Sequence, residues 1–304
     1  MNFKSGLEKV LVDGKFAVTA EVGPPKGADS NKIRDKAEML KGYADAFNIT
    51  DNQTAVVRLS SFGGSVILLN MGLEPIMQIC CRDRNRIALQ SDVLGAVSVG
   101  VRNILFITGD HQSFGNHPGA KGVFDIDSIQ LIKIVKDLRD NGIFQSGDKI
   151  LAGNPNVFIG GAANPFADPL DYRVDRLEKK IDAGVDFIQT QSVFDLYRFN
   201  IWMDEVKSRG LDKKTHILAG ITPLKSLRMT ERMKFHVPGV SIPEEIYNNM
   251  KETKNPKETG YDIALKLIND VKKINGIHGI HITALFWEDI IPNLVKELNL
   301  FPRN

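Results

Sequence analysis

The segment AVSVGVRNILFIT, residues 96–108, decides the fold: an amphipathic stretch runs into Gly100, a hydrophobic residue follows, and an apolar strand-like run closes it. A glycine there lets a helix end in the left-handed conformation at little cost, so the return into the next strand is short. The same word recurs in KKIDAGVDFIQT (179–190) and EVKSRGLDKKTHILAG (205–220). Working outward, short apolar runs alternate with longer amphipathic ones, the pattern of βα units around a parallel sheet. Eight strands are predicted, at 16–22, 46–50, 75–81, 103–108, 156–161, 186–190, 216–221 and 279–285. Helices are predicted between them, among others at 31–43, 85–99, 127–141, 170–183, 195–209 and 287–298. Repetition of one unit favours a closed α/β barrel, a (β/α)8 TIM barrel, over an open doubly wound sheet.

Such barrels reach 304 residues as one domain, so residues 1–304 are expected to form a single unit. The chain is 42% hydrophobic and 25% charged, which excludes disordered and fibrous classes. A formal charge of +2 creates no field that would draw the chain to nucleic acid or an anionic membrane. Cys80 and Cys81 are the only cysteines, and adjacent they form neither a disulfide framework nor a metal-ligand spacing; a reducing, cytoplasmic location is expected. The first sixteen residues, MNFKSGLEKVLVDGKF, lack the unbroken apolar stretch of a signal peptide, and no membrane span is expected.

Three longer connections break the rhythm, at 109–125, 162–169 and 237–260. The third reads as a surface excursion with an extra helix near 243–251. The first two follow strands, where a barrel carries its chemistry. Glu21 ends the first strand in TAEVGPPKG, where two prolines force the chain away. A carboxyl in an apolar strand end can have a raised pKa and act as a general acid; an exposed terminal Glu is the plain alternative. Asp110, after ILFITG, reads either as a ligand-facing acid or as a turn residue. Gln191 can donate and accept at once, which suits a heterocycle, while Asp195 behind it reads as a helix cap and Phe194 as a stacking ring or core filler. Arg176, Lys179 and Lys180 fall on neighbouring positions of one helix face, as a phosphate grip or as a solvated patch. No HExxH, P-loop or GxGxxG pattern occurs, so no metal is expected and any nucleotide must be held otherwise.

Four local motifs then line up in order: EVGPP around Glu21, ITGD ending at Asp110, EKKIDAGVDFIQTQ leading to Gln191, and AGITP from Ala219 to Pro223. Together they resemble the methylenetetrahydrofolate reductases, flavin-dependent barrels of one-carbon metabolism. The resemblance implies hydride transfer from N5 of a reduced flavin to 5,10-methylenetetrahydrofolate, giving 5-methyltetrahydrofolate. It implies Glu21 as general acid, Asp110 as a second catalytic acid near the flavin, and Gln191, Phe194, Tyr197 and Leu224 on the folate. It places Thr50, Gln78, Thr108, Gly109, Asp110, Ala162, Asn164, Ala167, Arg176, Lys179 and Lys180 at or near the flavin, with FAD favoured over FMN. Departures stand at Gln78, Thr108, Leu224 and Trp287, where a familiar bacterial member has His, Arg, an aromatic and Arg. They cluster on the electron-donor side. NADH, or a reduced partner subunit of iron–sulfur or zinc-containing type, is therefore the expected donor, in a homo- or hetero-oligomer. The competing readings are a flavin barrel acting on another pterin and a non-catalytic flavin-binding subunit of an electron-transfer complex.

Overall fold

The computed structural model describes residues 3–303. Its strands are β1 (Ala17–Glu21), β2 (Ala46–Ile49), β3 (Pro75–Cys80), β4 (Asn103–Ile107), β5 (Phe158–Ala163), β6 (Phe187–Ser192), β7 (His216–Ile221) and β8 (Ile277–Ile282). They pair in chain order, all parallel, and β1 pairs with β8 to close the barrel. The helices are α1 (Gly6–Val12), α2 (Asn31–Leu40), α3 (Ser61–Asn70), α4 (Arg86–Ser98), α5 (Ser128–Asp140), α6 (Asp171–Ala183), α7 (Leu196–Ser208), α8 (Leu227–His236), α9 (Glu244–Glu252), α10 (Pro256–Val271) and α11 (Ile291–Glu297). Among the described residues no helix is long and apolar enough to cross a membrane.

Local chemistry accounts for the element ends. Asp127 caps α5 in a reciprocal pair with Gln130, and Asp195 accepts from Arg198 N at the start of α7, the capping role that its position suggests. Gly184 ends α6 in the left-handed conformation, as the recurring word predicts. β5 starts two residues later than the sequence suggests, and β8 ends at Ile282 because Trp287 N turns back to Ala284 O.

Alternation sorts the strand residues between two compartments. Outward-facing residues join the helices in the main core, which includes Val18, Ile49, Ile104, Ile159, Ile188 and Ile280. A second cluster fills the lower half of the barrel, where Leu7 and Leu11 of α1 plug the end against Ala17, Ala46, Ile76, Leu105, Phe158, Phe187 and Leu218. The same parity, continued two and four residues along each strand, gives Thr19 and Glu21, Asn48 and Thr50, Gln78, Gln189 and Gln191, and His281 and Thr283. The barrel is thus dry below and polar above.

Segment 237–260 carries α9 and the first turn of α10, which seats Gly260 so close to β7's exit that an added Cβ would overlap the Leu224 carbonyl oxygen. Alanine normally stabilises a helix interior by about 1 kcal/mol over glycine. Here the overlap costs roughly 1–3 kcal/mol and reverses the sign. Gly260→Ala is expected to lower the urea midpoint with an unchanged m-value; a raised midpoint would show that this approach is loose.

Candidate active site at the mouth of the barrel

Beneath the mouth a buried polar layer spans the barrel. Asn48 Nδ2 donates to Gln189 Oε1 at 2.6 Å, and Gln189 Nε2 donates back to Asn48 Oδ1 at 3.0 Å and to Thr19 Oγ1 at 3.1 Å. Thr19 Oγ1 lies 3.0 Å from His281 Nδ1, and His281 Nε2 lies 3.3 Å from Thr283 Oγ1. Thr19 Oγ1 also reaches Ile280 O at 3.4 Å, and His281 is bonded through both ring nitrogens. Burial pushes the His281 pKa down to about 4, which keeps it neutral.

Above this layer stands Glu21, partly exposed at the end of β1. Burial pushes its carboxyl up to about 7, against Lys36 and Arg58 and with help from Glu288. Lys36, the strongest lowering influence, has its Nζ held by Glu288 Oε1 at 2.5 Å, and Glu288 itself pushes the Glu21 pKa up. Arg58 Nη1 donates to Pro24 O at 3.1 Å, which fixes the loop leaving β1. Desolvation outweighs both cations and a hydrogen bond with Gln53.

Thr50 Oγ1, just past β2, is buried and has no partner among the described residues. Gln78 faces inward from β3 and stays partly exposed to the mouth. Across the barrel Gln191 Oε1 accepts from Ser192 N at 3.2 Å, beside a register shift between β6 and β7. Lys180 is buried against Ala162 O, its only hydrogen-bond partner among the described residues, and burial together with Arg176 brings its pKa down to about 8. The structure thus brings Arg176 and Lys180 together, while Lys179 is exposed.

Other predicted residues fall elsewhere. Thr108 turns away from the barrel interior, its hydroxyl 3.2 Å from Ser128 Oγ at the start of α5. Phe194 and Leu224 pack into the outer core, and Tyr197 is 77% exposed at the start of α7. Asn164 Oδ1 caps the turn to Phe166 N, and Ala167 O accepts from Arg173. Asp110 is exposed next to Gly109, whose left-handed backbone packs against Cys80. Its main chain is held by a residue that the motifs did not suggest: Arg82, 3% exposed, donates to Asp110 O at 3.1 Å and Asn52 O at 3.2 Å. Asp51 likewise ties β2's exit to β3 through Cys80 N at 3.0 Å and Arg84 at 2.6 Å. Among the described residues no cluster of three or more His, Cys, Asp or Glu could hold a metal ion.

Comparison with known proteins agrees with this architecture. The family model of methylenetetrahydrofolate reductase matches residues 6–299. Methylenetetrahydrofolate reductase 1 of Schizosaccharomyces pombe is 25% identical over 244 residues, covering 79% of this chain and 38% of that one. The 5,10-methylenetetrahydrofolate reductase of Pectobacterium carotovorum is 23% identical over 285 residues, covering 92% of this chain and 88% of that one. The chain therefore spans about two fifths of the length of the fungal relatives and most of the bacterial one. A solved protein from Clostridium thermocellum, described as binding two copies of 5-methyl-5,6,7,8-tetrahydrofolic acid, superposes with a TM-score of 0.69 at 15% identity. The match covers 96% of this chain and 98% of that one, and it establishes the shared fold.

The polar layer predicts an acid sensitivity. His281 is neutral when folded and titrates near 6.5 when unfolded, so its contribution is whole above 6.5 and is lost as pH falls towards 4. Between pH 7 and pH 5 that amounts to about 2 kcal/mol. His281→Gln is expected to flatten this part of the stability profile in urea titrations; an unchanged slope would remove His281 from the account.

Proposed function

The chain belongs to the methylenetetrahydrofolate reductase family, and on that premise we propose that it reduces 5,10-methylenetetrahydrofolate to 5-methyltetrahydrofolate at the mouth of the barrel. The observation that carries the reading is Glu21, an inward-facing carboxyl raised to about 7. At neutral pH a large fraction is protonated, so it can give a proton to the folate ring nitrogen, which opens the five-membered ring to an electrophilic iminium. Gln191 orients the pterin by donating and accepting on its edge. The relatives' reductase names and the methyltetrahydrofolate bound by the Clostridium protein support the same substrate class.

The residues present fit a flavin. Among the described residues Thr50 offers a buried hydroxyl that lacks a partner, Gln78 an inward amide, and Lys180 a buried ammonium whose only partner is a carbonyl. Such a cation gains most from an anionic phosphate, and with Arg176 beside it a diphosphate is matched better than a single phosphate, which favours FAD over FMN. A bound flavin supplies the hydride that the methylene carbon accepts. Asp110, exposed on a main chain held by Arg82 in the loop after β4, is the second acid in this reading. Leu224, at the seventh strand's exit, is aliphatic and packed into the core, so it cannot stack a nicotinamide, which supports a reduced companion subunit over NADH as donor.

Glu21→Gln is expected to keep its flavin and lower folate reduction about a hundredfold or more. The parent's folate half-reaction should fall as pH rises through 7, where the acid form is lost, and the variant's should not follow that profile. Rapid-mixing spectrophotometry of prereduced protein against methylenetetrahydrofolate reads both, and equal rates for parent and variant would remove Glu21 as the acid. Lys180→Met is expected to release flavin on dilution into a spin filter. Chromatography of flavin freed from the denatured parent should show FAD; FMN alone would overturn the diphosphate assignment.

A further inference from the structure

Phe194, which the sequence offers as a stacking ring or a core filler, lies in the core, and Trp287 is only 8% exposed. The neighbouring Phe286 behaves in the opposite way. It is 80% exposed, and its φ is +56°, a left-handed backbone that a bulky aromatic rarely adopts. Burial would favour an inward ring, and sterics would favour glycine; the chain satisfies neither.

The conformation is imposed from both sides. Lys225 Nζ, from the loop after β7, donates to Phe286 O at 2.6 Å. Trp287 N closes the turn onto Ala284 O at 3.0 Å, and Ala284, Trp287 and Ile290 are buried. A loop anchored on both flanks, with its strain confined to the residue that shows a ring to solvent, is the pattern of a ligand contact held ready. The loop follows β8 at the end of the barrel where the site lies. Two residues further on, Glu288 pairs with Lys36, and both act on Glu21. Phe286 therefore stands on the loop after β8, two residues before the Glu288 that acts on the proton donor.

We propose that Phe286 is a specificity-determining residue that stacks on the flat pterin of the folate substrate, with Lys225 holding the ring's backbone in place. This rests on the reductase reading above. An exposed aromatic face suits a planar heteroaromatic by offset stacking, and a fixed backbone leaves little freedom to lose on binding.

The test separates strain from function. Phe286→Gly removes the ring and puts at φ +56° the residue that adopts it freely, so the fold is kept or firmed. Phe286→Leu keeps an apolar side chain without the π face. Flavin-loaded parent and variants are titrated with 5-methyltetrahydrofolate by calorimetry, with thermal midpoints, flavin absorbance and light-scattering mass measured alongside. The parent should bind saturably, and both variants should bind roughly tenfold or more weakly. Flavin content should be equal, and the glycine variant should melt at or above the parent. Variants that bind as tightly as the parent overturn the proposal and leave the reductase reading intact, whereas a parent that binds no folate overturns both. A change in mass with unchanged folate affinity would make the ring an interface residue and also overturn it.

Discussion

Asn48 and Gln189 face each other from β2 and β6, on opposite sides of the barrel, and exchange two hydrogen bonds across it. Everything above and below depends on that clasp. Two amides in the middle of a barrel are tolerable only when nearly every donor and acceptor is met, since an unmet one costs about 1–3 kcal/mol. Thr19 accepts the second Gln189 hydrogen and links it to His281, and the chain of bonds ends at Thr283 on the upper rim. The layer therefore separates an apolar floor from a wet mouth.

The tuning of Glu21 follows from the same division. A carboxyl between a sealed floor and a crowded rim loses water on most sides, and its pKa rises unless a free cation compensates. Lys36 compensates most, and the Glu288 that holds it pushes the other way. This arrangement brings substrate-facing acidity and structural pairing into one cluster, so a change at Glu288 or Lys36 would act on chemistry without touching substrate.

Much of this was legible in the chain, for reasons that differ between residues. The barrel was readable because helix, glycine and strand recur with one spacing around Gly100, Gly184 and Gly210. Glu21 was readable because prolines mark the strand end beside it. Thr19, Asn48, Gln189 and His281 were not singled out, since one polar residue inside AVTAE, AFNI, FIQTQS or IHGIHI looks like an interruption of an apolar run. Its sidedness emerges only when closure of the barrel fixes which parity points inward. Arg82 was hidden in CRDR, which reads as solvated charge until its bonds to Asp110 O and Asn52 O are seen. Phe194 and Phe286 show the converse limit: sequence gives a ring's position along the chain, whereas exposure is decided by the backbone angle of the loop that carries it.

Four groups that stability alone would not choose stand towards the upper end. Among the described residues Thr50 has a buried hydroxyl without a partner and Lys180 a buried ammonium with one, while Glu21 has a carboxyl short of solvent and Phe286 a strained backbone. In the layer beneath, the two amides are paired with each other and the imidazole is bonded at both nitrogens. A parallel barrel makes this separation natural, because strand C-termini and their loops form one end and the apolar plug of α1 the other. Since strain above is supported by packing below, relieving it at one upper position need not loosen the rest. The polar layer is different. Its members share partners, so losing one leaves the others unsatisfied, and damage there would reach the mouth through every bond that passes upward.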